Sequence, residues 1–255
     1  MATRPRPIAL LAALLAALLL AGAGAGAPSA RAAVGDPLLR DQWALGDASL
    51  GAAQAWTQSR GDGVVVAVID SGVQLDHPDL AANLWTNPGE VPGNGVDDDH
   101  DGFVDDVHGA NLLDGGGDVG DDRGHGTHVA GIVAAVAGNG IGGSGLAPRA
   151  RIMAVKVLDA THAGDASLLA GAIRYAVDRG ARILNVSLNG DASTPQLDQA
   201  IAYAGSRGAT IVASAGNDGR DVDLRPSYPA ASPDPAVLSV TASDERGRLP
   251  AFANR

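Results

Sequence analysis

The amino-acid sequence predicts an α/β fold in which a mainly parallel sheet is flanked by helices on both faces. Apolar, β-branched runs of strand length alternate with stretches of helical spacing, which is the pattern of parallel β-α-β units. The strand-like runs are continuously apolar, as is typical of strands that are buried on both faces. With 255 residues and 45% hydrophobic content, the chain is long enough for one domain with a substantial core.

Five runs are predicted to be buried strands, and the first of them ends in an acid, Asp70. They cover residues 64–70, 151–159, 181–188, 209–217 and 236–243. Because ligands of open parallel sheets bind at the carboxyl ends of the strands, the polar side chains at these ends are candidates for function.

Three helices are predicted between these strands, over residues 127–138, 167–180 and 195–208. Asp165 or Ser167 is a suitable N-cap for the second helix, and Pro195 suits the first turn of the third. Gly180 and Gly208 are predicted to end these two helices.

Residues 1–32 are predicted to be a secretory signal peptide. Arg4 and Arg6 precede an apolar run that begins at Ile8, and small residues end the segment in an A-x-A triplet. A membrane anchor is the alternative, but it needs about 20 apolar residues and this run is shorter. We therefore expect residues 33–255 to form a single secreted, extracellular domain, with no membrane association after cleavage of the signal.

The charge of the chain excludes some partners. Removal of the predicted signal peptide takes away three arginines and no acid, so that the formal net charge of −11 becomes −14. A domain this acidic is a poor binder of nucleic acid and of anionic membranes. The chain has no cysteine, so disulfides cannot stabilise it outside the cell, and bound metal is the obvious substitute.

Candidates for acid/base chemistry stand near the first strand and the first helix. The Asp70 carboxylate follows a buried strand and needs a polar or cationic partner there, although an Asp that caps a helix is the alternative. His125 lies between Gly124 and Gly126 and is predicted to precede the helix, whereas His128 is predicted to point into the helix packing. A zinc site is disfavoured, because metalloprotease histidines stand four apart with a glutamate between them.

Three motifs, VAVIDSGVQLDHPDL, GHGTHVAGIVAA and ASAGNDG, resemble in this order the aspartate, histidine and oxyanion-hole motifs of the subtilases, the subtilisin-like serine peptidases. The resemblance implies a three-layer subtilisin-like fold and a serine endopeptidase. It implies that Asp70 orients a general base, His125, and that the Asn217 amide donates to the oxyanion. From its position alone, Asn217 could equally be a turn residue before Asp-Gly.

The resemblance also implies a groove for protein or peptide substrates in a monomeric enzyme. NVSLNG resembles the edge strand along which the peptide lies, so Ser187, Leu188 and Asn189 are candidate substrate-binding residues. The family usually has glycine where this chain has Asn189. SYPA resembles the wall of the specificity pocket, which makes Tyr228 a further candidate.

The family's Gly-Thr-Ser-Met-Ala motif, which carries the nucleophile, does not occur in the sequence. Ser71, Ser187 and Ser214 each match a family position that is not nucleophilic. We therefore expect the sequence to be truncated before the catalytic serine. The alternative is a non-catalytic, calcium-dependent relative that binds peptides.

An acidic segment between Thr86 and Asp122 predicts a calcium site. It holds eleven acids and neither Lys nor Arg. The stretch VDDDHDG has the D-x-D-x-D-G opening of a calcium loop, although the twelfth position holds histidine instead of glutamate. The predicted ligands are Asp97, Asp99, Asp101 and Asp105, and a solvated acidic loop is the alternative. The resemblance implies a second calcium site at Asp79 and Asn139.

Overall fold

Six parallel strands in the order β2-β3-β1-β4-β5-β6 form the central sheet of the protein. The computed structural model describes residues 35–161 and 166–255. The predicted signal peptide (1–32) and the candidate N-cap Asp165 lie outside the described residues. The strands are β1 (Val65–Asp70), β2 (Gly109–Asn111), β3 (Arg151–Lys156), β4 (Ile183–Val186), β5 (Thr210–Ser214) and β6 (Val237–Val240).

Five of these strands lie within the five predicted runs, and β2 was not predicted. Its three residues contain no apolar run, and they pair with β3 in the register Gly109↔Ala154. A contact with a distant strand therefore creates β2.

Helices flank the sheet: α1 (Ala52–Ala55), α2 (His125–Ala134), α3 (Ala166–Asp178) and α4 (Pro195–Ser206). Thr194 caps α4, because its hydroxyl accepts from the Leu197 N–H at 3.2 Å. Gly180 and Gly208 follow α3 and α4 with φ of 92° and 73°, which confirms the predicted stops. Ser167 lies inside α3 and is not its N-cap.

Among the described residues, no helix is both long and apolar enough to cross a membrane.

The two faces of the sheet carry separate apolar clusters, so the fold has three layers, as predicted. Val68 of β1 belongs to the cluster that includes Ala130 of α2. The next residue, Ile69, belongs to the other cluster, with Ile173 of α3. Since side chains alternate along a strand, Asp70 shares the α2 face with Val68.

Candidate active site and metal sites

The carboxyl end of β1 brings the Asp70 and His125 side chains together. β1 lies between β3 and β4, so the strand order reverses there, which is where open α/β sheets bind ligands. Asp70 is fully buried, and its Oδ1 accepts from His125 Nδ1 at 2.7 Å and from the Ser71 N–H at 2.7 Å. An ionised carboxylate can only accept, so Nδ1 carries the proton and Nε2 is the ring nitrogen that can accept one.

Glycines allow α2 to approach this carboxylate so closely. A Cβ on Gly126 would lie 2.1 Å from the Gly72 carbonyl oxygen, so no other residue fits there without a shift. The Gly126 N–H donates to Ser71 Oγ at 3.1 Å, which ties the helix to the turn after β1. Gly124 is the N-cap of α2 with φ of 85°, so His125 is the first residue of the helix, not a residue before it.

His128 does not point into the helix packing, and that prediction was wrong. The buried positions of α2 are Gly126, Ala130 and Ala134, which recur every four residues. His128 lies two residues from the nearest of them, roughly 200° around the helix, and is exposed. The imidazole beside Asp70 is that of His125.

Asp121 fixes the loop that leads to His125. Its carboxylate accepts from the Ser71 hydroxyl at 2.9 Å, from the Arg123 and Gly124 N–H groups at 3.0 and 2.9 Å, and from the Thr127 hydroxyl at 2.6 Å. Burial raises the pKa of Asp121, but these hydrogen bonds outweigh it and lower the pKa to about 2. The ionised carboxylate therefore holds the N-terminal turn of α2 in place.

Lys156 ties the same loop to the turn after β1. It is 5% exposed, and its Nζ donates to the Ser71 carbonyl at 2.6 Å, the Gly120 carbonyl at 3.0 Å and Asp122 Oδ2 at 2.7 Å. It stands beside Asp70 in the β1–β3 register. Neither Lys156 nor Asp121 was predicted from the sequence. The available signal for Lys156 was its position as a cation at the end of the apolar run RIMAVK, which matches the position of Asp70 at the end of β1.

The predicted oxyanion residue and the predicted substrate strand face the same cleft as His125. A cleft of about 650 Å³ is lined by His125, Asn217 and Ser187, among others. Asn217 is exposed three residues after β5. Ser187 Oγ accepts from Asn185 Nδ2 at 2.8 Å, so this side chain is already engaged.

The other predicted substrate residues lie at the end of β4. Tyr228 and Gly190 form an antiparallel bridge, with N–H···O distances of 2.9 and 2.8 Å. The Asn189 amide lies 3.4 Å from the position of a Cβ on Gly216, so it narrows the space between the two segments. The Leu188 side chain packs against the apolar core instead, which leaves its backbone for any peptide contact.

Three of the four predicted ligands of the acidic loop lie together. One carboxylate oxygen each from Asp97, Asp99 and Asp101 lies within 4.8 Å of the others. The loop closes on Asp97, which accepts from the Asp101 and Gly102 N–H groups at 3.1 and 2.9 Å. The Gly102 hydrogen bond helps to lower the pKa of Asp97, whereas burial raises the pKa of Asp101.

Asp105 is not brought to this cluster. Its carboxylate turns the other way and accepts from the N–H groups of Gly93 at 2.7 Å, Asn94 at 3.1 Å and Gly95 at 2.9 Å. It has a positive φ of 53°. The spacing of a calcium loop therefore holds here for the first three acids only, because backbone N–H groups occupy the carboxylate of the fourth.

The side chain of Arg179, which follows α3, enters the acidic segment. The sequence did not reveal this contact. Arg179, the residue after α3, pairs with Asp99 Oδ2 at 2.5 Å and with Asp101 Oδ2 at 2.9 Å. The segment lacks Lys and Arg of its own, but the fold supplies one from 80 residues away in the chain. Part of the negative charge of the acidic segment is thus compensated by Arg179.

Asp79 and Asn139 are brought together as predicted. Asn139 Nδ2 donates to Asp79 Oδ1 at 2.7 Å, and Asp79 is buried. Asp36, which was not predicted, fixes the same glycine-rich loop by accepting from the Gly138 and Gly140 N–H groups at 2.8 and 3.2 Å.

Comparison with known proteins agrees with this geometry. The sequence model of the subtilase family matches residues 61–255. Thermitase from Thermoactinomyces vulgaris is 36% identical over 208 residues, which are 82% of this chain and 65% of thermitase. A thermophilic serine proteinase from Bacillus sp. (strain AK1) is 39% identical over 202 residues, which are 78% of this chain and 43% of that protein.

The fold has a solved counterpart as well. A protease structure from Pseudoalteromonas arctica PAMC 21717 superposes with a TM-score of 0.69 at 28% identity, and the match covers 87% of this chain and 69% of that chain. The chain belongs to the subtilase family. It spans less than two thirds of the length of thermitase and of the Bacillus proteinase.

Proposed function

We propose that residues 33–255 form part of the catalytic domain of a secreted serine endopeptidase of subtilisin type, which is incomplete at its C-terminus without the nucleophile. The observation that supports this most strongly is the 2.7 Å hydrogen bond between the buried Asp70 carboxylate and the His125 imidazole, at the carboxyl end of β1. Family membership supports the reaction class, and the predicted signal peptide supports secretion.

In the proposed mechanism, His125 is the general base and Asp70 orients it. The Asp70 carboxylate holds the proton on Nδ1, so Nε2 takes the proton of a serine hydroxyl as its oxygen attacks the scissile carbonyl. The Asn217 amide donates to the oxyanion of the resulting tetrahedral intermediate. His125 then gives its proton to the leaving amine.

The peptide substrate is proposed to lie along residues 187–189. In support, Ser187 lines the cleft that holds His125, and Tyr228 forms an antiparallel bridge with Gly190, the residue that follows this segment. The Asn189 amide, near Gly216, would favour small side chains in the adjoining part of the groove.

The nucleophile is proposed to be a serine outside residues 1–255. Three serines near the site have other partners: Ser71 Oγ donates to Asp121, Ser187 Oγ accepts from Asn185, and Ser214 Oγ accepts from the Gly216 N–H at 3.2 Å. The absence of the Gly-Thr-Ser-Met-Ala motif from residues 1–255 also motivates an alternative function, that of a non-catalytic, calcium-dependent protein that holds peptides in the same groove.

Calcium is proposed as a structural cofactor. In support, three acids of the D-x-D-x-D-G loop have oxygens within 4.8 Å of one another. Asp79 and Asn139 are the proposed second site. Carboxylate, amide and carbonyl oxygens are the ligands that calcium prefers, and an ion there would stabilise the folded domain.

Residues 34–255 expressed alone should hydrolyse peptide substrates at no more than the background rate, because the nucleophile is absent from them. The measurement is release of a fluorophore from a panel of peptide substrates, with and without a serine-directed inhibitor. Turnover that the inhibitor abolishes would place the nucleophile within these residues.

A further inference from the structure

We propose that Asn254 is a positioning residue for the oxyanion donor, because its side chain holds the loop that carries Asn217 in one conformation. The inference rests on the proposed function, in which the Asn217 amide donates to the oxyanion of the tetrahedral intermediate. Asn254 was not among the residues predicted from the sequence. It stands in the last stretch of the chain, PAFANR, where no local pattern points to a role in the site.

The loop after β5 needs support from elsewhere in the chain. β5 ends at Ser214, and Asn217 is exposed and lines the cleft that also holds His125. Gly216 and Gly219 stand on either side of Asn217, with φ of 103° and 65°. Because glycine has the widest backbone freedom, this sequence alone does not fix the direction of the Asn217 amide.

The Asn254 amide supplies that support on both sides of Asn217. Its Nδ2 donates to the Ala215 carbonyl at 2.8 Å, which lies before Asn217 in the loop. Its Oδ1 accepts from the Asp218 and Arg220 N–H groups, each at 3.0 Å, which lie after Asn217. A single side chain therefore bonds the backbone on either side of the proposed oxyanion donor.

Asn254 is itself held firmly enough to fix the loop. It is 0% exposed, so water does not compete for its hydrogen bonds. Its backbone N–H donates to the Gly216 carbonyl at 3.2 Å, and its carbonyl accepts from the Thr241 hydroxyl at 2.6 Å. Since both its backbone and its side-chain amide are engaged, a rotation of Asn254 would leave buried polar groups unpaired, which is costly.

The loop fits closely against the segment that carries Asn254. A Cβ on Gly216 would lie 2.5 Å from Asn254 Nδ2, so the amide occupies the space that a side chain at position 216 would need. A Cβ on Gly219 would lie 2.6 Å from the Ala251 carbonyl oxygen. With so little free space between the two segments, a change at Asn254 displaces the loop and, with it, Asn217.

The position of an oxyanion donor matters for the rate. The donor acts at about 2.7–3.1 Å from the place that the oxyanion will occupy, and a misplacement of about 1 Å in a site can cost about 10²-fold in rate. Removal of the Asn254 amide would leave the Ala215 carbonyl and the Asp218 and Arg220 N–H groups without their partner. The loop would then move to pair them with water, and the Asn217 amide would lose its direction.

A double-mutant cycle on kcat in the active peptidase tests the proposal. Asn254→Ala should lower kcat by about 10²-fold, close to the loss of about 10²–10³-fold that follows removal of an oxyanion donor. In the Asn217→Ala background, the same substitution should lower kcat by no more than about twofold, because the donor that Asn254 positions is already gone. KM should change little in either background.

Asn83→Ala is the matched control. Asn83 is also buried, and its Nδ2 donates to the Ala134 and Pro148 carbonyls at 2.8 and 2.9 Å, at the end of α2 opposite to His125. The substitution removes the same amide from the same kind of backbone contact. It should lower the melting temperature and leave kcat unchanged, and circular dichroism checks that each variant is folded.

Equal losses from Asn254→Ala in the two backgrounds would overturn the positioning role alone, as would an unchanged kcat in folded Asn254→Ala. An unchanged kcat in Asn217→Ala would refute the oxyanion role and the positioning role together, and no turnover by the unaltered full-length protein would refute the proposed function with both. If Asn254→Ala does not fold, Asn254→Asp carries the same expectation, because it keeps the acceptor for the two N–H groups but sets an oxygen against the Ala215 carbonyl.

Discussion

Replacement of His125 by alanine in the active peptidase will lower kcat by about 10⁶-fold, the loss measured for the corresponding histidine of subtilisin. Without the His125 imidazole, the Asp70 carboxylate has no base to orient, so the serine hydroxyl keeps its proton. KM should change little, because the substrate groove along residues 187–189 remains. Steady-state kinetics on a peptide substrate measure both constants, and circular dichroism confirms the fold.

His128→Ala is the matched control, since it removes the same ring three residues along the same helix. His128 is exposed and lines the same cleft as His125, but the Asp70 carboxylate accepts from the His125 ring, so we expect near-normal turnover in the His128 variant. Any loss of stability should fall at the low end of the about 0.5–3 kcal/mol usual for single substitutions. A folded but inactive His128 variant beside an active His125 variant would reverse the two assignments.

Removal of calcium will lower the thermal stability of the protein and open the acidic segment to proteolysis between Gly95 and His108. Without an ion, several carboxylates repel one another there, and Arg179 compensates only those of Asp99 and Asp101. An ion that binds only the folded state stabilises it by about 2.7 kcal/mol at a hundredfold excess over its Kd. Melting curves and limited proteolysis, in chelator and in calcium, measure both effects.

Both effects should be reversed by calcium and not by an equal ionic strength of sodium chloride, which controls for general screening. Cleavage in the exposed segment 221–226, which holds no proposed ligand, should not depend on calcium. Coincident melting curves, together with an unchanged cleavage pattern between Gly95 and His108, would leave the segment as an ordinary solvated acidic loop.

The layers of the fold could be predicted from the sequence because each strand is a continuous apolar run. The run at 64–70 became β1, and the alternation along it placed Val68 and Ile69 on opposite faces of the sheet. β2 could not be predicted, because Gly109–Asn111 owes its extended conformation to pairing with β3. Short segments held by a distant partner carry little signal of their own.

The contact between Asp70 and His125 could be predicted because the motifs that carry the family resemblance are local. The groups that hold them could not, because Lys156 and Asp121 act through contacts with Ser71, 85 and 50 residues away. The acidic loop shows the same limit. The spacing grouped Asp97, Asp99 and Asp101, whose carboxylate oxygens do lie together. It also included Asp105, whose carboxylate accepts from backbone N–H groups instead.

The helix face of His128 was mispredicted for a different reason. The run from Thr127 to Ala137 is apolar on most sides, so its periodicity does not show which side faces the sheet. The small residues Gly126, Ala130 and Ala134 decide this, since only they allow α2 to approach β1 closely.

The central claim is that Asp70 and His125 activate a serine outside residues 1–255, and covalent labelling tests it most directly. The purified active peptidase is treated with a fluorophosphonate, and the labelled residue is identified by mass spectrometry. We predict a single labelled serine beyond these residues, with labelling lost in His125→Ala. A label on Ser71, Ser187 or Ser214, or equal labelling of the His125→Ala variant, would contradict the account.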